Sequence, residues 1–170
     1  MTTLNMIPSL PLDSTDAERA AHYDKLRVRL LLLLEGEYDL TATMATVVCE
    51  LHHAFDYFHW TGFYRNVDKE LVVGPYQGSH GCLRITFDRG VCGAAARERK
   101  TQLVPDVNAF PGHIACSSST LSELVVPWIG AHGHLLGVFD VDSNSPDAFT
   151  QADATALESL LRLLASGLTL

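Results

Sequence analysis

Basic residues are scarce in this sequence: 12 Lys and Arg stand against 20 Asp and Glu, a formal net charge of −8. So acidic a chain lacks the positive surface that neutralises nucleic-acid phosphates. No basic run with interleaved aromatics makes up for it, which excludes a general nucleic-acid binder. Long apolar runs are missing as well. The stretch Leu30 to Leu34 is far too short to span a bilayer. Met1 to Pro8 has neither a basic n-region nor an apolar h-region, so no secretory signal is expected and the protein reads as cytoplasmic, with no membrane partner. Cysteine is sparse too, with four in 170 residues. Without a secretion signal these do not read as an extracellular disulfide framework; they are catalytic, redox-sensing, metal-binding or buried. The familiar motifs of phosphate binding (GxxxxGK[ST]) and serine hydrolysis (GxSxG) are absent, as are the zinc signatures CxxC and HExxH. Cys82 and Cys92, ten residues apart, match no common zinc spacing, so no metal site is expected.

What is present is a core. Hydrophobic residues make up 47% and charged residues 19%, the balance of a folded domain of ordinary size. Residues 1–13, with Pro8 and Pro11, read as an irregular arm, and 14–170 as a single domain. Thr15-Asp16-Ala17-Glu18 has the form of a capping box, so a helix is expected from there to about Glu35, stopped by Gly36. Asp39 can cap a second helix, with Leu40, Met44, Val47, Val48, Leu51 and Phe55 on one face and Cys49 almost opposite. The period then changes: His59–Arg65 and Leu71–Tyr76 read as strands around an Asn66–Lys69 turn. A short helix over Gly90–Arg99 and a strand at Thr101–Val104 follow. Pro105–Ser119 is a long connection of the kind that is usually functional or disordered. Leu124–Ile129 and His134–Asp142 form a second strand pair, and a helix from about Thr150 buries Leu157, Leu160, Leu161, Leu164 and Leu168. Helices at both ends of an antiparallel sheet make an α+β domain.

Three of the cysteines, Cys82, Cys92 and Cys116, fall within 35 residues among Gly, Ser, His and Arg. A packing cysteine favours an apolar run, whereas these read as lying in polar loops where a thiolate can be stabilised. Cys116 is the strongest nucleophile candidate: His113 precedes it, and the Ser117-Ser118-Ser119 hydroxyls and amides follow. Along the strand ending Asp140-Val141-Asp142, alternation places both carboxylates on one face. Like charges so close raise a pKa unless a cation separates them, so they call for an ammonium, an arginine or a shared proton. A turn-capping cluster at Asp142–Pro146 is the alternative. Glu123, just ahead of Leu124-Val125-Val126-Pro127, is open to the same two readings. Trp60 and Tyr64 share a strand face and either wall a pocket or fill the core.

Seven segments carry a resemblance in order along the chain. They are Trp60-Thr61-Gly62-Phe63-Tyr64; Gly81-Cys82-Leu83-Arg84-Ile85; Arg89-Gly90-Val91-Cys92-Gly93; Val104-Pro105-Asp106-Val107; Phe110 to Cys116; Ser122 to Pro127; and Gly137 to Ser143. From about Asp39 to Leu164 the chain resembles the free methionine-(R)-sulfoxide reductases, single GAF-domain enzymes. That resemblance implies a GAF-like, six-stranded antiparallel sheet with helices packed on it. It implies a reaction in which Cys116 attacks the sulfoxide sulfur and becomes a sulfenic acid. Cys82 then resolves it as a disulfide, with Cys92 as relay or alternative. Glu123, Asp140 and Asp142 would share proton donation and binding of the substrate ammonium, and Trp60 and Tyr64 would line the pocket. No cofactor is bound; thioredoxin or a similar dithiol is the implied reductant, drawing on NADPH, and a homodimer is left open. The sequence departs from the family's pattern at Thr86, Asp88 and Ser117, and Cys49 has no counterpart role. The competing reading is a non-catalytic GAF module that binds a small molecule or senses redox state.

Overall fold

The computed structural model describes residues 5–112 and 118–167. The capping box forms as the sequence dictates: Thr15 and Glu18 satisfy each other's backbone amides and open α1 (Asp16–Leu33). Gly36, at φ +75°, lies beyond its end. Asp39 accepts from the Ala42 amide at 2.8 Å and opens α2 (Leu40–Ala54). Met44, Val47, Val48 and Leu51 are buried on one face of α2, while Phe55 falls just past its end and packs into the same core.

The strands β1 (Trp60–Val67) and β2 (Glu70–Gln77) join through Asp68 and Lys69, both at positive φ (52° and 66°), the mirror-image turn that suits the right-handed twist of a hairpin. Then come β3 (Arg84–Thr86), α3 (Gly90–Glu98), β4 (Gln102–Val104), a single 3-10 turn at Val107–Ala109, β5 (Ser122–Ile129), β6 (Leu135–Ser143) and α4 (Gln151–Gly167). They form one six-stranded sheet in the order β3-β2-β1-β6-β5-β4 with every pairing antiparallel. The residue-by-residue reading has only five strands. The sixth, β3, is three residues long and holds its place by pairing with Glu70, Leu71 and Val72, so its own sequence has no room to show a period.

Strand alternation sorts the side chains into two cores. Phe63, Leu124, Val126, Trp128, Phe139 and Val141 join the helical stripes of α1, α2 and α4. Trp60, Tyr64, Val125 and Val138 face the other way, into a smaller cluster under α3 that includes Val91, Cys92, Ala95 and Ala96. The larger core is pinned by a polar knot at Asp153, which is fully buried. Asp153 pairs with Arg19 and accepts from the hydroxyls of Tyr23 and Tyr57 at 3.0 Å each and from the Thr150 amide at 2.8 Å. Removing Asp153 leaves the Arg19 charge unpaired and the two buried Tyr hydroxyls without their acceptor, which costs far more than the pair itself contributes. Asp153→Ala is expected to destabilise the fold by about 3–5 kcal/mol, read as a lower midpoint in urea unfolding.

Two sequence expectations need correction. Cys92 is not in a polar loop: it lies in the first turn of α3 and is 4% exposed among apolar neighbours. The short helix expected over Gly90–Arg99 is the one that carries it, so what needs correcting is the polar-loop setting, and a Cβ at Gly93 would stand 2.7 Å from the Thr86 carbonyl oxygen. Glu123 is the second residue of β5 rather than a residue ahead of the strand. Leu168, expected on the buried face of the last helix, lies outside the described residues.

Candidate active site

The site is built across the middle of the sheet, on the α3 side. Trp60 on β1, Asp142 on β6 and Glu123 on β5 stand opposite one another in a single cross-strand row. In the next same-facing row are Gly62, Asp140 and Val125. Directly opposed side chains on a sheet are about 5 Å apart at Cβ, so register alone gathers Glu123, Asp140 and Asp142 under α3. Glu123 and Asp140 are buried and Asp142 is half-buried.

From α3, the Cys92 thiol reaches down to this group. It donates to Asp140 Oδ2 at 3.2 Å, with Glu123 Oε1 at 3.9 Å. Glu123 is also hydrogen-bonded to Asp140, and the Thr120 hydroxyl donates to Asp142 Oδ2 at 3.3 Å. The second oxygen of Asp140, Oδ1, is buried with no hydrogen-bond partner among the described residues. No Lys or Arg among the described residues pairs with any of the three carboxyl groups.

Burial without a cation fixes the electrostatics. Desolvation pushes the Asp140 carboxyl up to about 7, partly offset by the hydrogen bonds from Cys92 and Glu123. Glu123 is raised well above the carboxylate range by desolvation and then by the charges of Asp140 and Asp142, and Asp142 is raised by desolvation and by Asp140. These causes favour the neutral, protonated form of Glu123. Desolvation, then Asp140 and Glu123, push the Cys92 thiol up, which keeps it protonated.

A group whose pKa is raised by folding adds stability at low pH and withdraws it as pH climbs through the folded value. For Asp140 that window runs from about 4 to about 7. Asp140→Asn should therefore gain in melting temperature relative to the parent as pH rises from 5 to 8, measured without substrate; a constant difference across that range would contradict the shift.

Beside the carboxyl groups, on the same face of the sheet, is an aromatic wall. The Trp60 indole is stacked between Tyr64 and Tyr76, with ring centroids 5.7 and 5.3 Å apart. Its Nε1 donates to the Ser79 carbonyl at 3.0 Å, which ties the wall to the β2–β3 connection carrying Cys82. Two glycines make room for it. A Cβ at Gly62 would lie 2.6 Å from the Trp60 ring, and one at Gly81 would lie 2.9 Å from the Tyr64 hydroxyl. The Gly81 contact is not visible in sequence, because Tyr64 lies 17 residues away, whereas Gly62 meets a ring from its own strand two positions earlier. Gly62→Val should displace the Trp60 ring, blue- or red-shifting its fluorescence, and lower the melting temperature.

Among the other thiols, Cys82 is half-buried in the β2–β3 connection and disulfide-bonded. Cys49 is a free, half-buried thiol on α2. Cys116, with His113 and Ser117, lies outside the described residues. Sequence reading missed Thr120 and Tyr76, whose roles come entirely from their partners across the fold. It also missed the contact of Cys92 with the carboxyl groups.

Comparison with known proteins agrees with this architecture. The model of the GAF domain matches residues 37–169. GAF domain-containing protein A of Dictyostelium discoideum is 42% identical over 154 residues, covering 90% of this chain and 96% of that protein. The free methionine-R-sulfoxide reductase of Saccharomyces cerevisiae is 39% identical over 139 residues, 78% of this chain and 77% of the yeast protein. The crystal structure of the free methionine-R-sulfoxide reductase from Neisseria meningitidis in complex with its substrate superposes with a TM-score of 0.86 at 38% identity, covering 98% of this chain and 95% of that one. With the same fold over nearly its whole length and this level of identity, the chain belongs to the GAF-domain family and, within it, to the free methionine-R-sulfoxide reductases.

Proposed function

We propose that this protein reduces free L-methionine (R)-sulfoxide to L-methionine with Cys116 as the nucleophile. The observation that carries the proposal is the carboxyl set of buried Glu123 and Asp140 with half-buried Asp142, set beside the Trp60–Tyr64 stack with no Lys or Arg paired to it among the described residues. The α-ammonium of a free amino acid supplies the missing charge; a methionine inside a peptide has none to offer. The orphan Asp140 Oδ1 is a ready acceptor for that ammonium, and the aromatic wall suits the methyl sulfoxide.

The Cys116 thiolate attacks the sulfoxide sulfur while a carboxylic acid protonates the oxygen. The S–O bond of the substrate breaks as the oxygen passes to the Cys116 sulfur, the transient sulfur–sulfur bond opens, methionine leaves reduced by two electrons, and Cys116 remains as a sulfenic acid. A second thiol then attacks that sulfur, the oxygen departs as water, and a disulfide results. A dithiol such as thioredoxin, recharged by NADPH, returns both thiols to the reduced state. Cys116 is four residues before Thr120, whose hydroxyl touches Asp142, so the chain ties its Cα to within about 14 Å of the Thr120 Cα. Of the two candidates for the resolving thiol, the observations favour Cys82, which is half-buried and disulfide-bonded. Cys92 is held protonated by burial and by its acidic neighbours, so it makes a poor attacking thiol and a good hydrogen-bond donor to Asp140. The setting is a reducing compartment such as the cytoplasm, where the dithiol reductant is available.

The test is direct. Reduced protein is mixed with thioredoxin, thioredoxin reductase and NADPH. Free methionine (R)-sulfoxide should trigger NADPH oxidation, and a peptide containing the same residue should not. Absence of sulfoxide-dependent oxidation would leave the chain a ligand-binding or redox-sensing GAF module.

A further inference from the structure

We infer that the reduced, substrate-free site is also a binding site for a thiophilic divalent cation such as Zn²⁺, held by Cys92, Glu123 and Asp140. These residues come from α3, β5 and β6, and one ligand atom of each lies within 4.8 Å of the other two. All three are buried. They are separated by 31 and 17 residues in sequence, so no short metal-binding spacing reveals them.

The geometry suits the ion. Bonds of about 2.3 Å to sulfur and about 2.1 Å to oxygen at a tetrahedral angle place the sulfur and each oxygen about 3.5 Å apart. The two observed separations, 3.2 Å to Asp140 Oδ2 and 3.9 Å to Glu123 Oε1, straddle that value. A thiol donating to a carboxylate occupies the same edge that a shared metal would.

The second observation is Asp140 Oδ1, buried and unpartnered among the described residues. A buried acceptor with nothing to accept from is costly unless something positive visits it. On binding, the metal takes the place of the Cys92 thiol proton and of the carboxyl proton on Glu123, both of which leave to solvent as the sulfur–metal and oxygen–metal bonds form; no electron is transferred. Three protein ligands and an open fourth position leave room for water. The bound cation would sit where an ammonium would, so cation and substrate exclude each other.

The experiment uses Cd²⁺, whose thiolate bond absorbs in the ultraviolet, titrated into reduced full-length protein carrying Cys82→Ser and Cys116→Ser. That background removes the other two active-site thiols and needs no turnover, so the result stands apart from the fate of the reductase reading. A charge-transfer band saturating at one Cd²⁺ per chain is expected. It should be lost on adding Cys92→Ser, retained with Cys49→Ser, and shifted to at least about tenfold weaker binding by Glu123→Gln. Circular dichroism on each variant shows that the fold is retained. Absence of a saturable band, or a band that survives Cys92→Ser or is lost with Cys49→Ser, overturns the proposal.

Discussion

Cys116→Ser is expected to lower kcat/KM by at least about 10³-fold. A serine hydroxyl is not ionised near neutral pH and cannot accept oxygen to form an analogue of a sulfenic acid, so both the attack and the storage of the oxidising equivalents are lost. The sulfoxide pocket is left in place, and binding of substrate should survive. The companion variant separates attack from resolution. Cys82→Ser should release about one methionine per chain in a single turnover and then stall with an oxidised Cys116, which a sulfenic-acid trap such as dimedone will label. Cys49→Ser should turn over like the parent. Sustained multiple turnover in Cys116→Ser would sink the assignment of the nucleophile; a dimedone-labelled Cys92 would move it to α3.

The carboxyl groups carry the second large effect. Glu123→Gln keeps the shape of the side chain and can still donate to Asp140, but it has no proton to give to a departing oxygen. Its loss should appear in kcat, by about 10²–10⁴-fold. Asp140→Asn removes the negative charge whose free oxygen is available to the substrate ammonium, so its loss should appear chiefly in KM, by about 10–10²-fold. Neither change should unfold the protein, because each replaces a buried acidic group by a neutral one of the same size among other acids. The two residues touch, so the double variant should lose less than the product of the single losses. Fully additive losses would mean that Glu123 and Asp140 do not act as one unit.

The legible parts of the fold were those set by local rules. Thr15 and Glu18 announce the start of α1, and Asp39 that of α2, because a cap needs only residues three apart. The alternation through Asp140-Val141-Asp142 places two carboxyl groups on one face for the same reason. Cys92 is legible only in part: its helix over Gly90–Arg99 is expected from the sequence, while its burial against Asp140 is not. Its neighbours Arg89, Gly90 and Gly93 are loop-forming by composition, and only the close packing of α3 on the β3–α3 connection explains why glycine is used there. Glu123 was recognised as acidic and near a strand, but its role depends on facing Asp142 across β5 and β6.

The sequence by itself determined the α+β class, most helix boundaries, the three thiols and three carboxyl groups worth testing, and the family resemblance. These follow from short-range patterns that a chain carries whether folded or not. The tertiary structure decided which groups meet. Sheet register, with partners up to 82 residues apart along the row from Trp60 to Asp142, placed Trp60, Asp142 and Glu123 in line. The packing of α3 above them buried Cys92 against Asp140. Raised carboxyl pKa values, a protonated thiol and an orphan oxygen are properties of that enclosure, because they arise from lost water and close like charges, neither of which a linear sequence contains.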